Sequence, residues 1–441
     1  MKYSSQNIFS KVKESENHFI VNLLTGSADI LSSFEAQKLE MIRNGGTSDL
    51  KFSAEMEEKG YLSDCETEKK QFRLKYYNAI DQREKEEIQL FFILNYSCNF
   101  GCTYCYQDQY ANPGAAAEGN EITDAFFKYI KAEFHARKKY ITVFGGEPLL
   151  NNSHQRTQIA YLLQKSNEAG LEVCFVTNGY TLVEYKDILK TGKIREIQVT
   201  IDGTASFHDS RRTLRGGGKT FDKIVKGVEV CLENGLPVNL RMVIDKQNID
   251  NLPDFAKFAI DKGWTVHPLF KTQIGRNYEL HHCQATRDKL FSRISLYQKI
   301  YDLIKVYPHI GEFYKPAYSV SKYLAENGQL PEPLFDACPA CKTEWAFDYT
   351  GKIYSCTATV GKQDEALGTF YPIVSRNDQL IGEWESRDIT TIAECKTCSV
   401  QLACGGGCGS VAKNRNGSIC SPDCRPVLEL LELGFASYLK D

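Results

Sequence analysis

From residue 88 the chain alternates short apolar runs with longer amphipathic stretches. IQLFFILNYS (88–97), ITVF (141–144), EVCFVTN (172–178), REIQVTID (195–202), VNLRMVID (238–245) and WTVHPLF (264–270) have the length and residue types of strands. Between them, segments near 121–138, 152–169, 182–191, 220–234 and 250–262 read as helices. Six strands alternating with five helices predict an α/β fold on a parallel sheet or partial barrel. Ligands in such folds sit beyond the carboxyl ends of the strands.

The texture differs on either side. Before it, HFIVNLL reads as a strand, SSFEAQKLEMIRNG as a capped helix ending at Gly, and EMEEKGYL as a short helix running into a strand. The charged run Asp81–Glu87 is a solvated face or connector. After about residue 305 the alternation fades and cysteines concentrate. The chain therefore divides into an α+β unit at 1–84, a strand–helix unit at 85–305 and a cysteine-rich unit at 306–441. The last is expected to be held by something other than a large apolar core. GGG at 216–218 reads as a loop.

With 53 basic and 56 acidic residues the net charge is −3, which argues against a chain coated for nucleic acid or an anionic membrane. No apolar run approaches the ~18 residues of a membrane span, and MKYSSQNIFSKVKESENHF lacks a continuous apolar signal region. A cytoplasmic chain is expected, and there thiols stay reduced. Sixteen cysteines then point to metal or catalysis rather than to disulfides.

Three of them follow the first strand as Cys98-Asn-Phe-Gly-Cys102-Thr-Tyr-Cys105. Zinc structural sites want four ligands, usually as paired knuckles. A four-iron cluster takes four thiolates, so three from one loop leave one iron for a non-protein ligand. Zinc with a distant fourth ligand is the alternative. Later strands end in Phe144-Gly145-Gly146-Glu147-Pro148, Thr177-Asn178-Gly179 and Thr200-Ile201-Asp202-Gly203, followed by His208-Asp209-Ser210-Arg211-Arg212. Glycines allow close backbone approach, a carboxylate accepts from an amine, and an arginine forks onto a carboxylate.

In this order the motifs resemble the radical S-adenosylmethionine superfamily over roughly 88–270. The resemblance implies a partial (β/α)6 barrel and a [4Fe–4S] cluster on Cys98, Cys102 and Cys105, whose open iron takes the amino and carboxylate groups of S-adenosylmethionine. It places Tyr104 against the adenine, Gly146 and Glu147 at the methionyl amine, Thr200 in a hydrogen bond to the cofactor and Arg212 on its carboxylate. His208 reads as structural.

The C-terminal unit holds Cys338-Pro-Ala-Cys341, Gly351-Lys-Ile-Tyr-Ser-Cys356, Cys395-Lys-Thr-Cys398, Cys404-Gly-Gly-Gly-Cys408, Cys420 and Cys424. This spacing resembles the SPASM extension, which carries two auxiliary [4Fe–4S] clusters. The family pattern assigns Cys338, Cys341, Cys356 and Cys408 to one, and Cys395, Cys398, Cys404 and Cys424 to the other, with Cys420 an alternative to Cys424. Three clusters are thus expected, with a zinc reading of the tail left open. Cys65, Cys174, Cys231 and Cys283 remain; Cys174 and Cys231 read as small core residues.

The resemblance further implies an oxidoreductase of peptides. Its cleaved cofactor yields a 5′-deoxyadenosyl radical that takes hydrogen from the substrate, with a low-potential donor such as flavodoxin or ferredoxin supplying electrons. Sulfatase-maturing members follow the Gly-x4-Cys cysteine with a basic aspartate, whereas Thr357 follows Cys356 here. The N-terminal unit resembles a PqqD-like domain that binds a leader peptide by strand addition. Together these favour a ribosomal-peptide maturase that installs a Cys thioether or a carbon–carbon cross-link. The alternatives are a formylglycine-forming maturase and, from another class, a zinc-stabilised nucleic-acid-binding protein.

Overall fold

The computed structural model describes residues 1–105, 107, 119–277 and 287–439. Strand β1 (Lys2–Tyr3) opens the chain, and β2 (Asn7–Lys11), β3 (His18–Asn22) and β4 (Ser27–Leu31) form an antiparallel sheet. Helix α1 (Ser33–Arg43) begins in a capping box. Ser32 Oγ accepts from the Glu35 N–H, and the Glu35 carboxylate accepts from the Ser32 N–H. Helix α2 (Leu50–Glu58) leads into β5 (Leu62–Ser63), which pairs with β1. Nothing in the sequence reading marked helix α3 (Cys65–Arg83): none of its 19 residues is fully buried, and a narrow stripe of Phe72, Tyr76 and Ala79 rests on the core. Its anchors are single contacts: Phe72 and Tyr76 meet the Phe335 ring edge-on, and Tyr76 Oη donates to Asp388 at 2.8 Å.

Six parallel strands follow in sequence order: β6 (Ile88–Ile93), β7 (Lys139–Phe144), β8 (Val173–Thr177), β9 (Ile194–Thr200), β10 (Val238–Ile244) and β11 (Phe270–Arg276). Helices α4 (Glu121–Glu133), α5 (Ser153–Glu168), α6 (Leu182–Leu189), α7 (Ala205–Arg211), α8 (Phe221–Glu233) and α9 (Leu252–Asp261) connect them. This is the partial (β/α)6 barrel. Leu162, Leu182, Ile224 and Phe255 of the helices and Ile141, Phe175, Ile197 and Leu240 of the strands are fully buried in one core. Each such side chain contributes about 1.5–3 kcal/mol by leaving water.

The sixth strand lies later than WTVHPLF suggested. Residues 264–269 form turns, with Trp264 buried as a core plug. Pro268 within that run has no N–H for a ladder. The strand is Phe270–Arg276, at the end of the sheet and too polar to read as one.

The C-terminal unit also departs from expectation. Strand β12 (Glu344–Asp348) pairs in parallel with β6 and prolongs the barrel sheet, and β13 (Lys352–Tyr354) pairs antiparallel to β12. Trp345, Phe347, Ile353, Phe370 and Trp384 belong to the barrel's own core, with Phe126 stacked on Phe92 and edge-on to Phe347. An apolar core therefore holds this half of the unit. The final helix, Val427–Tyr438, packs back onto the N-terminal layer. Among the described residues no helix is long and apolar enough to cross a membrane.

Candidate active site

A cavity of about 600 Å³ runs along β6 to β11, from Gln89, Tyr140 and Lys271 near their amino ends to Thr177, Thr200 and Arg276 at their carboxyl ends. Cys98, Cys102 and Cys105 line its mouth, all half-buried and without disulfides. Their loop is strapped to the segment after α7: Gly101 N donates to Thr213 O at 2.9 Å, Thr103 N to Arg211 O at 3.0 Å and Arg215 N to Asn99 O at 2.8 Å. Arg215 Nε donates to Cys98 O at 3.0 Å. Burial pushes the Cys98 thiol up to about 12, with the Glu147 charge adding to it. Among the described residues no three or more His, Cys, Asp or Glu side chains stand grouped as a bound ion needs. The three thiols face one shared space instead.

The Gly145-Gly146 pair packs closely against that loop. A Cβ on Gly146 would stand 2.2 Å from Ser97 O, and one on Gly145, at φ +136°, 2.4 Å from Asn95 O. Gly146 N and Glu147 N donate to Asn95 O and Ser97 O, at 3.1 and 2.8 Å. Gly146 lines the cavity, and Glu147 sits directly behind it. Glu147 is 1% exposed and its oxygens are taken by Thr177 Oγ1 at 2.6 Å, Asn178 N at 2.7 Å and Leu149 N at 2.8 Å. Burial raises its carboxyl while these bonds pull it down. It ties the ends of β7 and β8 together.

Tyr104 lines the cavity, and its hydroxyl donates to Asp202 Oδ2 at 2.6 Å while accepting from Arg212 Nη1 at 2.6 Å. Asp202 also accepts from Val243 N at 3.0 Å and from Arg211 Nε at 3.4 Å, and Arg211 reaches Asp245 at 2.9 Å. Arg212 is buried and turned to the cavity, and its Nε meets no acceptor. Thr200 is buried at the cavity wall. His208 is fully buried, accepting from Asp202 N at Nδ1 (3.2 Å) and bonded through Nε2 to Thr220 Oγ1 (3.1 Å). Burial pushes its pKa down to about 3, in keeping with a neutral structural ring.

Arg241 escaped the sequence reading, Cys174 was read as a core residue, and Asn178 only as part of a strand-end motif. Asn178 donates to Asn99 Oδ1 at 2.8 Å and faces Cys98 Sγ at 3.9 Å. Arg241 and Cys174 line the cavity, so Cys174 is no core residue, whereas Cys231 is. A charge inside the apolar run VNLRMVID was the one available sign of Arg241. Cys283 lies outside the described residues.

The tail cysteines fall into two neighbourhoods. Cys338, Cys341 and Cys356 are buried and Cys408 half-buried; after burial and Glu344, the charges of Cys338 and Cys408 raise the Cys356 thiol. Cys395 is pushed up to about 11 by burial, then by Cys404, Cys398 and Cys424. Cys424 in turn is raised by burial and by Cys404 and Cys398. Cys420 and Cys424 are both exposed. Between the two runs lies Arg387, fully buried. It donates to the carbonyls of Ile419 (2.5 Å), Gly407 (3.0 Å), Gly406 (2.8 Å) and Ser421 (3.1 Å).

Residues 92–259 match the model of the Radical SAM superfamily. The chain is 24% identical over 283 residues to a probable GTP 3',8-cyclase of Sulfurisphaera tokodaii, covering 62% of this chain and 82% of that protein. It is 23% identical over 369 residues to a serine-type anaerobic sulfatase-maturating enzyme of Bacteroides thetaiotaomicron, covering 78% and 86%. Several further curated relatives are matched over only 37–56% of their own length. Native anSMEcpe with bound AdoMet superposes with a TM-score of 0.61 at 18% identity, covering 80% of this chain and 98% of that one. Streptococcus suis SuiB bound to S-adenosylmethionine gives 0.54 at 18% identity, covering 97% and 100%. These likenesses show a shared fold. Residues 92–259 thus carry the match to the Radical SAM superfamily, and together with the shared fold this supports a radical SAM enzyme with a SPASM-like C-terminal region.

Proposed function

We propose that the chain is a maturase that cross-links a ribosomally made peptide, as a Cys thioether or a carbon–carbon bond. The observation that carries this reading is one cavity lined by the three thiols of Cys98, Cys102 and Cys105, none in a disulfide, and by buried Arg212, whose Nε has no acceptor. That donor set fits a [4Fe–4S] cluster on Cys98, Cys102 and Cys105 with S-adenosylmethionine beside it. Bound there, the pair supplies a carbon radical that takes hydrogen from an unactivated carbon. The chain's own residues orient and shield. Arg212 receives the cofactor carboxylate, Tyr104 and Thr200 form the adjoining wall, and Glu147 with Asn178 holds the cysteine loop in place.

The sets Cys338, Cys341, Cys356, Cys408 and Cys395, Cys398, Cys404, Cys424 fit two further [4Fe–4S] clusters. A place to store an electron suits net oxidation, such as a cross-link, better than isomerisation. A flavodoxin or ferredoxin fits the need for a low-potential donor. The N-terminal layer supplies a leader site: β4 pairs only with β3 and leaves one edge for strand addition. A solved structure of SuiB that covers 97% of this chain is bound to the precursor peptide SuiA, which supports a peptide partner.

The sulfatase-maturating relative favours formylglycine formation as a second reading. Against it stands Thr357, which lines the cavity where that class places its aspartate. The test is anaerobic co-expression with any short cysteine-containing peptide found encoded beside the gene, read by mass spectrometry. Loss of two hydrogens per bond is expected, and none in a C98A/C102A/C105A control. A mass-neutral product or an aldehyde in place of a cysteine thiol would overturn the cross-linking reading.

A further inference from the structure

The cavity beyond the cofactor wall is strongly cationic. Among the described residues the one carboxylate on its lining is Glu196, and that is held by Lys271 Nζ at 2.5 Å and Asn239 Nδ2 at 2.8 Å. The other cations there have partners as well: Arg195 binds Glu87 at 2.6 Å, Arg276 donates to Phe291 O at 2.7 Å, and Arg212 donates to Tyr104. Arg241 differs. Its guanidinium makes no hydrogen bond or ion pair among the described residues, and its Nε is buried without an acceptor.

The strand geometry makes room for this unpaired group. Arg241 on β10 is paired in register with Thr200 of β9, and Val243, two residues on along the same face, with Gly275 of β11. A Cβ on Gly275 would lie 2.6 Å from Arg241 Nε and 2.9 Å from Nη2. The missing side chain is what leaves the guanidinium its place beside Gly275 on the cavity wall. A half-buried guanidinium with no protein acceptor among the described residues is available to a carboxylate arriving with the substrate, through a two-point charge-assisted bond.

We propose that Arg241 anchors a carboxylate, an Asp or Glu side chain, of the peptide segment held for reaction. This rests on the peptide reading above and narrows it to acidic segments. Arg241 acts here as a specificity-determining residue one register step from the cofactor wall.

The probe is a displayed library of random decapeptides. It is panned in parallel against reconstituted holoenzyme saturated with S-adenosylmethionine, as wild type, R241Q and G275A. Asp and Glu are expected to be enriched about tenfold more by wild type than by R241Q, about 1.4 kcal/mol of preference. G275A, which keeps the charge but displaces it, is expected to fall between them, with thermal melts confirming that both variants fold. Equal acidic content in the wild-type and R241Q pools overturns the assignment. So does an R241Q loss of S-adenosylmethionine affinity as large as its loss of peptide preference, because Arg241 then serves the cofactor. Wild type that retains peptides without acidic bias sinks this inference alone. Wild type that retains no peptide sinks the peptide reading with it.

Discussion

The rings of Phe19 and Phe435 lie stacked with centroids 4.5 Å apart and planes 16° from parallel, so the first sheet and the last helix share one core. Ser10 Oγ donates to Glu432 at 2.5 Å beside them, and Ile8, Val21 and Leu430 complete the contact. The N-terminal layer is fastened to the chain's far end rather than trailing from the barrel on a linker. Removing a fully buried phenyl ring costs about 3–5 kcal/mol. F435A is therefore expected to lower the denaturant midpoint by that equivalent and to release the N-terminal layer first, seen as early proteolysis before residue 88. An unchanged midpoint refutes the shared core.

His208 gives a pH prediction with a definite sign. Its folded pKa is about 3 and its unfolded value about 6.5, so the unfolded chain binds the extra proton as pH falls. Stability is full above about 6.5 and declines below it, by roughly 1 kcal/mol for each pH unit. In H208N this part of the slope disappears, although stability at neutral pH is lower. Denaturant midpoints of the anaerobic holoenzyme between pH 5.5 and 7.5 check it.

Arg212 offers a planar fork whose Nη1 holds Tyr104 and whose Nε is unpaired. Lysine keeps the charge and loses the fork. R212K is expected to weaken S-adenosylmethionine binding about tenfold by calorimetry, while Tyr104 keeps its bond to Asp202. Undiminished affinity places the carboxylate elsewhere.

Arg387 satisfies four carbonyls at once in the loops around Cys404, Cys408 and Cys420. Its replacement in R387M leaves those acceptors buried and unpaired, at about 1–3 kcal/mol each at most. Iron in the reconstituted protein is expected to fall from roughly twelve per chain toward four, with the Cys98 loop still loaded. Full iron in R387M means that the two loops hold without it.

How much was legible follows from where each signal resides. Strands β6 to β10 announce themselves because buried parallel strands are apolar along their length, and the two tail neighbourhoods follow the cysteine spacing. Strand β11 hid because Lys271, Gln273 and Arg276 make it polar while WTVHPLF mimics a strand. The pairing of β12 with β6 joins residues about 250 positions apart and leaves no local trace, which is why Trp345 and Phe347 were not counted with the barrel core. Glu147 was legible as important but not in its partners: a motif shows that a carboxylate is required, not that Thr177 and Asn178 bond to it.

The two glycines that end β7 carry a lesson for anyone scanning this chain by substitution. Both positions will refuse every side chain, alanine included, because the neighbouring main chain already occupies the space. Such intolerance usually reads as a fingerprint of ligand contact. Here it would record as well how tightly one strand end must nest against the next, and a saturation screen scored by activity alone would not separate recognition from carpentry.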